Sequence, residues 1–330
     1  MRPASDPIPP FCPAWWLPGG HAQTLWPVLT RRVRLTTRTD MLELPDGDVT
    51  RLDWLDGRPR RGPIVVLMPG LQGGLDSQYI RGLMVAIGRC RWRAVLLNHR
   101  GRPEPNRFAH SYHCGLTCDI DYLVERLHEA EPHTPLAVVG FSLGANMLLK
   151  WLGEAGRNNR PLPIRTAIAI CAPFHLGRVA RRIETGFSRI YQNRMLRCLH
   201  SDVRRKLAAR PGTLDLTEAE LTTLDTFPKF DDRVTAPLHG FAGADDYYQR
   251  NRTDVLSRHI QAPTRIINAD DDPLIPRDLV PASQDVSEQV TLQTTRSGGH
   301  MGFVTGSSPL RPRYWLDHAI PGYLTPYLTG

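Results

Sequence analysis

The stretch "LAVVGFSLGANMLLKWLGE", residues 136–154, decides the fold. Its first part is a short β-rich apolar run, its second part is helix-compatible, and the join is Gly140-Phe141-Ser142-Leu143-Gly144. A strand that turns into a helix within so few residues needs small side chains two positions before and two after the central residue, which is why glycines flank the serine. Ala145 meets the same demand one position later. The turn lifts the serine into a strained, exposed position. The helix behind it offers backbone N–H groups and the positive end of its dipole to a developing oxyanion. Ser142 is therefore the candidate nucleophile.

On either side of this stretch the chain repeats the strand half of the pattern. "PIVVLMPG" (63–70), "AVLLNHRG" (94–101), "TAIAICAPF" (166–174) and "PTRIINA" (263–269) are continuous apolar runs, the signature of strands buried on both faces of a parallel sheet. The intervals between several of them are long enough for crossover helices, so the fold class is α/β, mostly parallel and doubly wound. Before them, "MLELPDGDVTRLDWL" (41–55) holds two strand-like runs around Asp46-Gly47, a pair suited to a tight hairpin turn. The interval from about 175 to 262 is too long for a crossover and is helix-like and arginine-rich. It is expected to be a helical cap inserted into a single domain spanning 1–330, with residues 1–30 as an N-terminal arm.

A charge of +8 is spread through an ordinary globular composition rather than gathered in a tail, so no nucleic acid partner is expected. Apolar runs are cut by Pro, Gly or charge well short of the roughly 20 residues a membrane span needs. The start of the chain lacks an uninterrupted apolar segment and does not read as a signal peptide. Six scattered cysteines then favour reduced thiols and a cytoplasmic location.

A serine hydroxyl is a poor nucleophile without a base to take its proton, and in the order Ser, acid, His that base lies late in the chain. Of twelve histidines, His300 stands apart, on the Gly-Gly loop of "VTLQTTRSGGHMGF" (290–303). His128, His133, His200 and His259 read as solvated. The acid is expected just after a late strand, in "INADDDPLIP" (267–276). Asp272 precedes Pro273 and is pushed toward an extended backbone. It is the first choice, with Asp271 and then Asp270 behind it as a turn-forming pair that caps local N–H groups. The oxyanion donors are the backbone N–H groups of Leu143 and of Leu71, the latter in the glycine-rich "MPGLQGG" (68–74).

The segments "GHAQTLWP", "LELPDGD", "NHRGRPEPNR", "YHCGLTCD", "GFSLGANML", "CAPF", "GFSRIYQ", "RKLAARPGT", "FDDRVTAPLHGFAGADDYY", "DDP" and "GGHMGF" run through nearly the whole chain. In them the chain resembles the YheT-type α/β hydrolases, a group related to several mammalian abhydrolase-domain lipases. The resemblance implies an α/β-hydrolase fold and a charge relay of Ser142, Asp272 and His300. It also implies a carboxylic ester hydrolase, esterase or lipase-like, acting without a cofactor on lipid-like esters such as acylglycerols. His113 and Asp119 match its pattern as residues that hold structure near the site. Two departures bear on the oxyanion loop: Pro69-Gly70 stands where many members have His-Gly, and Gly144-Ala145 where they have Gly-Gly.

Two rival functions use the same features: an acyltransferase working through the same acyl-enzyme, and a non-catalytic lipid-binding protein. In the cap, Phe187, Tyr191, Tyr247 and Tyr248 are candidate substrate contacts, set against the plainer reading of these aromatics as core. The arginine-rich segment 177–210 reads either as an amphipathic pair with a solvated face or as a lid whose cations meet an anionic membrane surface. The cluster His110, His113, Cys114 and Cys118 matches no standard zinc spacing, so no metal is expected. The aromatic segment "CPAWWLPGGHAQTLWP" (12–27) reads as an anchor against the domain.

Overall fold

The computed structural model describes residues 8–57 and 62–329. Residues 1–7 of the expected arm lie outside them. β1 (Arg38–Glu43) and β2 (Val49–Leu55) form the antiparallel hairpin, and Gly47 takes the positive φ of 83° that its turn requires. The apolar runs become β3 (Ile64–Met68), β4 (Arg93–Leu97), β5 (Leu136–Phe141), β6 (Thr166–Ile170) and β7 (Thr264–Ala269). The run before the histidine loop becomes β8 (Val290–Thr295).

These eight strands make one sheet in the order β1-β2-β4-β3-β5-β6-β7-β8. β2 is antiparallel to β4, and from β4 onward every neighbouring pair is parallel. Side-chain alternation sorts each central strand onto two faces. Val65 and Leu67 join the core under α2 (Gln78–Arg89) and the last long helix (315–328). Ile64, Val66 and Met68 join the core under α3 (Cys118–Ala130) and α4 (Leu143–Arg157). A sheet covered on both faces needs strands with no polar side, which explains why β3 and β5 are buried at every position.

The arm forms α1 (Gly20–Thr30), ahead of the sheet in sequence. Between β6 and β7 the chain runs through α5 (Leu176–Arg182), α6 (Ser188–Ala209), α7 (Glu218–Thr223) and α8 (Phe227–Phe230). It then passes through a π-helical turn (Asp231–Thr235), α9 (Ala236–His239) and α10 (Ala244–Arg250). This helical insertion has a small core of its own, built on Leu196, Val203, Leu221, Leu224, Phe230 and Val234. After β8 a short hairpin, β9 (Val304–Thr305) with β10 (Arg313–Tyr314), leads into α11 (Trp315–Leu328). Among the described residues no helix is long and apolar enough to cross a membrane.

Candidate active site

Ser142 stands between β5 and α4 with φ 51° and ψ −115°, a conformation few non-glycine residues adopt. The flanking glycines are required by space. A Cβ on Gly140 would fall 2.5 Å from the Gly144 carbonyl oxygen, and one on Gly144 would fall 2.5 Å from the carbonyl oxygens of both Met68 and Pro69. The strained residue is tied to the neighbouring strand, its N–H donating to the Ile170 carbonyl at 2.8 Å.

Two late residues, Asp272 and His300, complete the arrangement. The Ser142 Oγ lies 2.9 Å from His300 Nε2, and His300 Nδ1 lies 2.8 Å from Asp272 Oδ2. The second carboxylate oxygen of Asp272 accepts from the N–H groups of Leu274 at 2.8 Å and Ile275 at 3.1 Å. A carboxylate oxygen can only accept, so Nδ1 carries the ring proton, and Nε2 is left with a lone pair toward the serine hydroxyl. Asp272 and His300 are both buried, which strengthens each of these hydrogen bonds.

The aspartate triplet divides by what each carboxylate meets. Asp272 faces the imidazole, while Asp270 pairs with Arg277 at 3.2 Å. Asp271 reaches beyond the turn expected of it: its Oδ1 accepts from the Gly299 N–H at 2.8 Å, across to the histidine loop. Burial raises the Asp271 pKa above the ordinary carboxylate value, and the neighbouring Asp272 adds to this.

The two oxyanion candidates flank the nucleophile in one pocket with Ser142 and His300. On the loop after β3 the amides on either side of Leu71 are engaged: Gly70 N–H donates to Tyr79 Oη at 3.0 Å and Gln72 N–H to Tyr112 Oη at 3.2 Å. Leu143 opens α4, where the first N–H groups have no intrahelical acceptor. The departure at Pro69 is braced from behind by His99, whose Nε2 lies 3.1 Å from the Pro69 carbonyl. Burial lowers the His99 pKa to about 4, so it is neutral there and donates.

The pocket extends from Ser142 under the insertion between apolar walls that include Leu176, Val179, Ile183, Met195 and Leu274. Tyr247 and Tyr248 line it with their hydroxyls turned to protein partners. Tyr247 Oη accepts from the Cys114 N–H, and Tyr248 Oη donates to Asp231 Oδ2 at 2.7 Å. Phe187 and Tyr191 are not brought to this pocket. They lie at the start of α6, where the helix crosses the arm, and pack on His21; Tyr191 Oη is 3.0 Å from His21 Nδ1. The same helix reaches the pocket one and two turns later, through Met195 and Leu199.

His200 differs from its solvated reading: it is half-buried, with Nε2 3.0 Å from the Leu224 carbonyl and its ring stacked on Phe230. Asp119 is buried in a two-pronged ion pair with Arg100. Burial lowers the His113 pKa to about 3, and its Nδ1 accepts from the Gly115 N–H. Cys118 meets Asp119 and Arg100, so the His110, His113, Cys114 and Cys118 cluster does not close on a common point.

Among the described residues, the group of His, Cys and Asp ligand atoms that does gather within 4.8 Å is Cys171, Asp272 and His300. The last two are already committed to each other and to Ser142. The thiol of Cys171 was not singled out by sequence reasoning. It is completely buried at φ 51°, and burial together with Asp272 drives its pKa well above the ordinary thiol value.

Comparison with known proteins agrees with this architecture. Residues 63–307 match the family model described as the alpha/beta hydrolase fold. YheT of Escherichia coli (strain K12) is 39% identical over 322 residues, covering 96% of this chain and 94% of that protein. Phospholipase ABHD3 of Mus musculus is 26% identical over 315 residues, covering 92% and 75% of the two chains. Among solved structures, the Pyrococcus furiosus esterase Pf2001 superposes with a TM-score of 0.56 over 91% of this chain and 99% of that one, at 14% identity. The chain therefore belongs to the α/β hydrolase fold family, in its YheT-type branch.

Proposed function

We propose that the protein hydrolyses carboxylic esters with apolar, lipid-like acyl groups, using Ser142 as nucleophile. The observation that carries this is the continuous chain of hydrogen bonds from Ser142 through His300 to Asp272, set at one end of a largely apolar pocket. His300 Nε2 takes the hydroxyl proton as Ser142 Oγ attacks the ester carbonyl, and Asp272 stabilises the imidazolium that forms. The negative charge moves onto the carbonyl oxygen, where the Leu71 and Leu143 N–H groups are the donors. His300 then gives its proton to the leaving alcohol, leaving an acyl group on Ser142. In the second half His300 takes a proton from water, hydroxide adds to the acyl carbon, and the free acid leaves as Ser142 regains its proton. Relatives named as a phospholipase and as a monoacylglycerol lipase (ABHD2 of Mus musculus, 26% identical over 347 residues) support a lipid-like ester.

The test is a panel of nitrophenyl esters and monoacylglycerols on the wild type and Ser142→Ala. The expected result is ester turnover in the wild type and none above background in the variant. Hydrolysis persisting in Ser142→Ala would sink the mechanism. Acyl transfer to an added alcohol at the expense of free acid would move the assignment to an acyltransferase.

A further inference from the structure

The loop that carries His300 is held in large part by the N-terminal arm, which lies outside the segment 63–307 matched to the general α/β hydrolase fold. A Cβ on Gly20 would fall 1.7 Å from the Asp271 carbonyl oxygen, one on Gly299 would fall 2.4 Å from the Gly20 carbonyl oxygen, and one on Gly302 would fall 2.0 Å from the Gln23 carbonyl oxygen. The first turn of α1 is thus in backbone contact with both the acid loop and the histidine loop. Gln23 is completely buried and pairs with Val304 as a neighbouring strand would. Its Nε2 donates to the Val304 carbonyl at 3.2 Å, and its Oε1 accepts from the Val304 N–H at 2.7 Å.

Thr24 makes the contact closest to the chemistry. Its hydroxyl donates to the Gly20 carbonyl at 2.6 Å, and the same oxygen accepts from the backbone N–H of His300 at 2.8 Å. This matters because of the backbone on either side. Gly299 has φ 58°, Met301 φ 62° and Phe303 φ 42°. So many left-handed residues in one short loop persist only where the surroundings over-determine them. Two side chains from outside the loop do this directly: Asp271 on Gly299 and Thr24 on His300.

We propose that Thr24 is a positioning residue for His300: it fixes the main chain of the histidine so that the ring spans Asp272 and Ser142. The inference rests on the reading of His300 as the general base. Thr24 itself touches neither Ser142 nor Asp272 among the hydrogen bonds described, so its effect passes through the histidine backbone. Serine in its place keeps both hydrogen bonds. Valine matches the shape but leaves the His300 N–H without its acceptor and frees the loop to shift.

The experiment compares wild type, Thr24→Val, Thr24→Ser and Ser142→Ala in covalent labelling by an aryl fluorophosphonate, in kcat and KM on a nitrophenyl ester, and in thermal unfolding. Labelling reports the nucleophilicity that His300 confers on Ser142, whatever the natural substrate. A shift of about 1 Å in a catalytic group costs on the order of 100-fold. Thr24→Val is therefore expected to slow labelling and lower kcat by about 10- to 100-fold. KM and the unfolding midpoint should stay close to wild type, and Thr24→Ser should remain within about 2-fold of wild-type rates. Labelling of Thr24→Val at the wild-type rate would overturn the proposal while leaving the hydrolase reading intact. Loss of activity that tracks a lowered unfolding midpoint, or that Thr24→Ser fails to restore, would also overturn it. A wild type that does not label at Ser142 would bring down both readings.

Discussion

The N-terminal arm and the helical insertion both border the site, one behind the histidine loop and the other over the pocket, and they do so by different means. The arm meets the main chain of the acid and histidine loops: at Gly20 and Gln23 the backbones approach so closely that an added methyl group has no room, and the Gln23 and Thr24 side chains bond the loop's own N–H and C=O groups. The insertion touches through side chains, presenting Val179, Ile183 and Met195 to the pocket while keeping a core of its own. Its outer surface is cationic, with Phe187 and Ile190 half-exposed among Arg182, Arg189, Arg194 and Arg197. The contrast separates two tasks. Contact made to the main chain fixes where a group stands, because carbonyls and N–H groups have no rotamers to change. Side-chain contact sets what fits, because volume and polarity can vary without moving the chain.

Substitutions can break or sharpen this contrast. Between the two regions lie the groups proposed to react, and they set the upper scale. Asp272→Asn is expected to lower kcat by roughly 10⁴-fold, since an amide favours the wrong imidazole tautomer. Asp271→Asn keeps an oxygen for Gly299 and should cost far less, and Asp270→Asn less again. Steady-state kinetics on one ester would rank the three, and equal losses would mean the relay is misassigned within the triplet.

In the arm, Gly20→Ala forces a methyl group against the Asp271 carbonyl. It is expected to destabilise the fold by about 3 kcal/mol, at the upper end for overpacking, and to depress activity with it. Chemical denaturation and kinetics would check both.

The insertion should answer to pH instead. Asp231 accepts from Tyr248 Oη and Thr235 Oγ1 and is buried, and that burial raises its pKa from 3.8 to about 6. An acid whose folded pKa is raised favours the folded state while protonated. Its contribution is full below about pH 4 and is lost as pH rises through 6, a span of roughly 2–3 kcal/mol. Asp231→Asn should flatten the fall in stability between pH 4 and 6, measured by denaturation at each pH; an unchanged slope would remove Asp231 as its source.

Gly186→Ala in the insertion is the matched control for Gly20→Ala. Its φ is 59° but nothing lies within 4 Å of a Cβ, so only the left-handed backbone is penalised, by about 1 kcal/mol. A loss as large as that of Gly20→Ala would erase the distinction between the two regions.

The smallest effect concerns the outer face of α6, which we propose makes peripheral contact with anionic membrane surfaces. Weak binding to anionic vesicles is expected to fade as salt rises past the range where the Debye length falls below about 10 Å. Binding indifferent to salt would contradict it.

Much of this molecule is legible in its sequence because the controlling physics is local. Gly140 is required by the Gly144 carbonyl within the same pentapeptide, although Gly144 itself answers to the Met68 and Pro69 carbonyls at the end of the neighbouring strand. The buried runs of β3 to β7 announce a sheet covered on both faces, and the pre-proline aspartate and Gly-Gly histidine loop mark themselves by spacing. The length of the interval between β6 and β7 likewise shows where an insertion belongs. What the tertiary structure alone decides is which distant segments share a hydrogen bond. Thr24 and His300 are 276 positions apart, Asp271 and Gly299 are 28 apart, and nothing in the spelling of either partner names the other. Phe187 and Tyr191 show the same limit from the other side. Their aromatic character makes them candidates for a pocket, yet the start of α6 lies against the arm and sets them on His21. A pattern of residues records the demands of near neighbours, whereas the choice of far partners is made only when the whole chain has closed around its core.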